Sequence, residues 1–167
     1  MPKFVFFCAT NRTNLELAKL LMGLAEECGA ETEIVQLEDL DIPLFTPTVQ
    51  EGGIPEEAGM LNRKLLESDA LILLAPEYNG SIPPVVTNAI AWMSVSGKDF
   101  RAAFNGRFAV VGSSSAGTGF KVIEAMRSQL NHLGMIVLAR TFLSNSHKKQ
   151  DPDSARAIFR QLIALTS

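Results

Sequence analysis

Ala70-Leu71-Ile72-Leu73-Leu74-Ala75-Pro76-Glu77-Tyr78-Asn79-Gly80-Ser81-Ile82-Pro83-Pro84, running on to Trp92, is the stretch whose reading decides the fold. Its opening run is apolar without alternation, the pattern of a strand buried on both faces as in a parallel sheet. Pro76 ends strand pairing, and Asn79-Gly80 predicts a tight turn with positive φ. Pro84 falls in the first turn of the following helix, where its missing N–H costs nothing. The unit is strand, rigid polar loop, helix. Such a loop lies at the carboxyl edge of a sheet, where open α/β sheets bind ligands.

Upstream, Lys3-Phe4-Val5-Phe6-Phe7-Cys8 is a second doubly apolar run and predicts another central strand. After the polar loop Ala9 to Asn14 a helix is expected from about Asn14, with Ala18, Leu21, Ala25 and Cys28 on its inner face and Gly29 as its left-handed stop. Thr32 to Leu37 reads as a shorter strand. Glu38 to Pro55 has no clean period and reads as a long surface connection. A helix opens at Pro55-Glu56-Glu57 and buries Ala58, Leu61 and Leu65. Downstream of Trp92, a polar connection leads to the strand Arg107 to Gly112 and the small-residue loop Ser113 to Gly119. The next helix turns Val122, Met126, Leu130 and Leu133 inward and stops at Gly134. Met135 to Ala139 reads as the fifth strand. Asp151-Pro152 starts a last helix with Ile158, Leu162 and Leu165 inward.

Strands alternating with helices imply a parallel sheet with right-handed crossovers. Five such units predict an α/β, flavodoxin-like three-layer sandwich with a five-stranded parallel sheet in the order 2-1-3-4-5, and one domain over 1–167. Composition narrows the class further. Hydrophobic content of 47%, charge of 20% and a net charge of −3 suit a globular protein without the basic stripe of a nucleic-acid binder. No run is long enough for a membrane span, and the start enters strand-like sequence without a signal-peptide pattern. Cys8 and Cys28 make no disulfide framework, and no metal-ligand spacing is present, so no metal site is expected. A cytoplasmic enzyme or binding domain is the expectation.

The loops after strands 1, 3 and 4 meet at the switch point of this order. Thr10, Arg12, Thr13 and Asn14 bring hydroxyls, an amide and a guanidinium to a helix start, which suits a phosphate; capping by Thr13 or Asn14 beside a surface arginine is the plainer alternative. Ser113, Ser115, Gly117 and Gly119 offer backbone N–H groups and room for a planar ring, or form a simple flexible turn. No glycine follows strand 1, so the dinucleotide fingerprint fails, and Ala116 breaks G-x-S-x-G at Ser114.

Pro76-Glu77-Tyr78-Asn79-Gly80-Ser81-Ile82-Pro83 resembles the flavin loop of the NAD(P)H-dependent FMN reductase family, which includes quinone, azo-dye and chromate reductases. Thr10-Asn11-Arg12 is similar to that family's S-x-R, and Asn14-Leu15-Glu16-Leu17-Ala18 to its N-x-x-L-A; the loop between them is shorter than the family pattern. Ala91-Trp92 stands where the family has Asp-Trp. The resemblance implies FMN as cofactor, NAD(P)H as cosubstrate and a small-molecule electron acceptor. It implies that Thr10, Arg12, Thr13 and Asn14 hold the phosphate and that Pro76, Glu77, Tyr78, Asn79 and Gly80 lie against the ring. Ser113, Ser115, Gly117 and Gly119 then serve its pyrimidine edge. No side chain is implied as acid or base, since the cofactor carries the chemistry. A homodimer or homotetramer is implied too, with Ile90, Trp92 and Met93 as subunit contact or as core.

Two rivals use other features. A low-molecular-weight phosphatase or arsenate-reductase-like enzyme would use Cys8, Arg12 and Asp151, but only three residues separate Cys8 from Arg12, too few to encircle a phosphate. A flavin-binding protein without turnover remains the second.

Overall fold

The computed structural model of the chain describes residues 1–97 and 99–167. β1 (Lys3–Cys8), β2 (Glu31–Gln36), β3 (Ala70–Leu74), β4 (Phe108–Ser115) and β5 (Ile136–Val137) form a parallel sheet in the order β2-β1-β3-β4-β5. This is the flavodoxin-like order expected from the alternation of elements. Residues along β1 point alternately to the two faces, and each face has its own core. Val5 and Phe7 pack with Leu61 and Leu65 of α3 (Glu56–Leu66), Val86 and Ile90 of α4 (Pro84–Val95), and Met126 of α5 (Phe120–His132). Phe4, Phe6 and Cys8 pack with Leu17, Ala18 and Leu21 of α1 (Thr13–Glu27), and with Ile158 and Phe159 of α6 (Pro152–Thr166). The saturated apolar strands are the consequence, since neither face of β1 or β3 meets water. Among the described residues no helix is long and apolar enough to cross a membrane.

The fifth strand is not one strand. The sequence pattern predicts it over Met135 to Ala139, but β5 keeps only Ile136 and Val137, and β6 (Phe142–Asn145) resumes beside β4, making six strands among the described residues. The step from Ala109 to Gly112 on β4 is matched by the longer step from Val137 to Phe142. The surplus bulges out, and Arg127 of α5 reaches the freed carbonyls of Val137, Leu138 and Ala139 at 3.4, 2.6 and 3.2 Å. Pairing resumes where Gly112 leaves space. A Cβ there would lie 2.7 Å from Leu74 Cδ2 and from Phe142 Cβ. Phe142 is fully buried and packs on Phe159 at 5.1 Å between ring centroids.

Other expectations shift at element ends. β4 runs through Ser115, so the small-residue loop begins at Ala116 rather than Ser113. Leu165 is 46% exposed and not inward, while Ala155, Ile158, Phe159 and Leu162 make the buried face of α6. The connection after β2 holds a 3₁₀ turn at Leu37–Leu40 and α2 (Pro47–Gln50), whose first turn is capped by the Thr46 hydroxyl. Ile90, Trp92 and Met93 are buried in the core, and the indole N–H of Trp92 donates to the Pro43 carbonyl at 2.7 Å. Asn88 accepts from Phe45 N and donates to the carbonyls of Ile42 and Pro43, so α4 holds residues 42–45 of the β2–α3 connection.

Candidate functional site

Chains leaving β1 and β3 cross to opposite faces of the sheet, so a crevice opens between their carboxyl ends. It is a cleft of about 330 Å³, a size that suits a small-molecule or cofactor site. Its first wall is the four-residue turn 9–12 and the start of α1. Arg12 is the residue before the helix, at φ −120 and ψ −131, and no side chain caps the helix start. The amides of Thr13 and Asn14 precede any intrahelical acceptor and the helix dipole places positive charge there. Thr10 is nearly buried at the floor of the turn, and the Arg12 side chain is exposed at its rim, with no ion-pair partner among the described residues.

The plainer alternative, capping by Thr13 or Asn14, is not what their side chains do. Asn14 is 1% exposed, and its amide faces β4: Nδ2 donates to the Ser114 carbonyl at 2.9 Å and Oδ1 accepts from Ser114 N at 2.8 Å. One side chain thus pairs the end of β4 as a neighbouring strand would, tying the first loop to the third. The Thr13 hydroxyl adds a long 3.5 Å bond to the same carbonyl.

The second wall is the β3–α4 loop. Tyr78 and Ser81 exchange both backbone hydrogen bonds, at 3.1 and 2.9 Å, around Asn79 and Gly80 at φ 50 and 72. That pair of positive φ values makes the two-residue turn predicted from Asn-Gly. Pro76, Glu77 and Tyr78 line the cleft, with Tyr78 half exposed. Asn79 and Gly80 lie outside it and set the loop's shape. The Glu77 carboxylate accepts from the amides of Lys121 and Val122 at the start of α5.

The third wall comes from β4 and the turn after it. Ser115 and Gly117 face the cleft, and a Cβ added at Gly117 would meet nothing within 4 Å, so that flank is open. Ser113 is fully buried behind it and shares a 2.7 Å bond with the Ser115 hydroxyl. Gly119, at φ 71, starts α5 and has Ser113 Oγ 3.2 Å from where its Cβ would be. Ser114 and Ala116 also line the cleft, and neither was singled out from sequence. Ser114 acts through its backbone, which leaves no side-chain signal to find.

The phosphatase arrangement fails on geometry. Cys8 is fully buried, and burial, aided by the nearby Glu38 charge, pushes its thiol up to about 11, where a nucleophile would need the thiolate. Asp151 is the cap of α6, accepting from the amides of Asp153 and Ser154 at 3.2 and 3.3 Å.

Fold and cleft together are those of a flavodoxin-like protein with a phosphate-ready helix start. The chain belongs to the NADPH-dependent FMN reductase family, whose profile matches residues 2–150, and is therefore by class an FMN-dependent oxidoreductase. It is 32% identical over 125 residues to a quinone reductase of Pseudomonas putida, covering 73% of this chain and 64% of that one. It is 26% identical over 141 residues to an uncharacterised protein of Mycoplasma pneumoniae, with 82% of each chain covered. Among solved structures, the flavoenzyme NAD(P)H:(acceptor) oxidoreductase of Paracoccus denitrificans superposes with a TM-score of 0.78 at 21% identity, over 99% of this chain and 96% of that one, a likeness of fold. The residues present fit FMN. The cleft lining holds hydroxyls, a guanidinium and helix-start amides of the kind a phosphate would need, and the open flank at Gly117 leaves the room a planar ring would need.

Proposed function

We propose that this chain passes a hydride from NAD(P)H through FMN held in the cleft to a small acceptor such as a quinone or free flavin. The observation that carries this reading is the convergence of three loops on one cleft at the β1/β3 switch point, lined by a phosphate-suited helix start and by an open flank at Gly117. FMN, when bound, supplies the hydride chemistry. The chain's own residues do the holding. Thr10, Arg12, Thr13 and the leading amides of α1 would hold the phosphate. Asn14 keeps that turn in register with β4. Pro76, Glu77 and Tyr78 would form the wall against the ring, shaped by Asn79 and Gly80. The amides of Ala116 to Gly119 remain for the ring's polar edge and, pre-oriented, favour negative charge there. Ser113 and Ser115 fix that segment's position.

We read residues 1–167 as one FMN-binding domain acting in the cytoplasm, a reading supported by the free thiols Cys8 and Cys28. A homodimer or homotetramer is favoured by the apolar Leu44, Val49 and Ile54, exposed along the β2–α3 connection. The test is direct. Purified protein titrated with FMN quenches flavin fluorescence, and the loaded protein oxidises NADH or NADPH in the presence of a quinone. Absence of quenching overturns the flavin reading. Tight FMN binding without NAD(P)H oxidation instead establishes a flavin-binding protein without turnover. Size-exclusion chromatography with light scattering decides the assembly.

A further inference from the structure

Glu77 belongs to the loop that walls the cleft, yet its carboxylate is committed elsewhere. It accepts from Lys121 N at 3.1 Å and more weakly from Val122 N at 3.5 Å. α5 has no side-chain cap of its own, because Gly119 occupies the position that would supply one. The backbone of Glu77 is held as well: its N–H donates to Ser115 Oγ at 2.9 Å, and that hydroxyl is bonded to Ser113 Oγ at 2.7 Å. The loop tip rests on the same helix start, with Lys121 Cδ 3.2 Å from the place of a Gly80 Cβ. One residue therefore caps α5 from another element and bonds the second wall of the cleft to the third.

We propose that Glu77 is a positioning residue that latches the β3–α4 loop to α5, and that its charge beside the cleft makes the bound FMN harder to reduce. The second half rests on the flavin reading; the first does not. The free amides and the dipole of the helix N-terminus hold the carboxylate in place. The dipole's half charge offsets only part of the carboxylate's full one, and the remainder opposes the negative charge that reduction adds. Gln at this position keeps an acceptor oxygen and loses the charge. Ala loses both.

The experiment uses the full chain in two states. In cofactor-free protein, amide exchange at Lys121 and Val122 is expected to rise about tenfold or more in Glu77→Ala, and less in Glu77→Gln, since a bond to a charged acceptor is lost. In FMN-loaded protein, Glu77→Ala is expected to raise the FMN Kd about tenfold and Glu77→Gln only about threefold, while both raise the midpoint potential of the bound flavin. Unchanged exchange in Glu77→Ala overturns the latch. An unchanged potential in Glu77→Gln overturns the charge effect. Failure of the unaltered protein to bind FMN refutes the flavin reading and with it the charge effect, and leaves the exchange result to decide the latch.

Discussion

Replacing Asn14 by Ala should unfasten the first wall of the cleft from the third without touching either core. The side chain is 1% exposed and makes a donor and an acceptor bond to the Ser114 backbone at 2.9 and 2.8 Å. Each bond contributes about 1 kcal/mol net, and leaving a half-buried N–H and C=O without partners adds roughly another, so the loss is about 2–3 kcal/mol. For a chain of this size that lowers the melting temperature by roughly 5–10 °C. Asn14→Asp is the sharper variant. It keeps size and acceptor, but turns a carboxylate oxygen toward the Ser114 carbonyl in a buried place. It should cost more than Ala at neutral pH. Burial and the facing carbonyl raise the acid's pKa, so the folded pKa lies above the unfolded one. Stability then recovers as pH falls through the folded value, because the protonated acid can donate as Asn does. Thermal unfolding by circular dichroism on cofactor-free protein measures both, and FMN titration should show weaker binding in each. A melting temperature for Asn14→Ala within about 2 °C of the parent, with Asp and Ala alike, would refute the clamp.

The buried Cys8 thiol ionises near 11 in the folded chain against about 9 unfolded, so its contribution is flat below pH 9 and is lost as pH rises from there toward 11. At about 1.4 kcal/mol per unit the loss reaches roughly 3 kcal/mol, and Cys8→Ala should remove that part of the alkaline decline in chemical denaturation. Gly112→Ala puts a methyl 2.7 Å from Leu74 Cδ2 and 2.8 Å from the Phe142 carbonyl. Overpacking of that kind should cost about 1–3 kcal/mol or more, read as a drop in denaturant midpoint. Asp151→Ala leaves the first amides of α6 without their acceptor and should cost about 1 kcal/mol, seen in thermal melts.

The fold was legible because a strand buried on both faces must be apolar at every position. Phe4–Cys8 and Ala70–Leu74 show that pattern, and the helices between them show a one-sided stripe. Once the strand order followed, so did the meeting of three loops, and Asn79-Gly80 announced its own turn because few other residues accept positive φ at two successive positions. What those loops do to one another was not legible. Asn14 bonds to a residue a hundred positions away, Glu77 caps a helix forty-four positions on, and Arg127 holds carbonyls freed by a bulge. Such bonds go largely to backbone groups, which look alike in every sequence, and they have no period. The sequence by itself therefore determined which segments pack and where their ends gather. Only the tertiary structure decided which polar side chains are spent on holding those ends together and which are left facing the cleft, because that choice is made by distances that close only when the sheet forms.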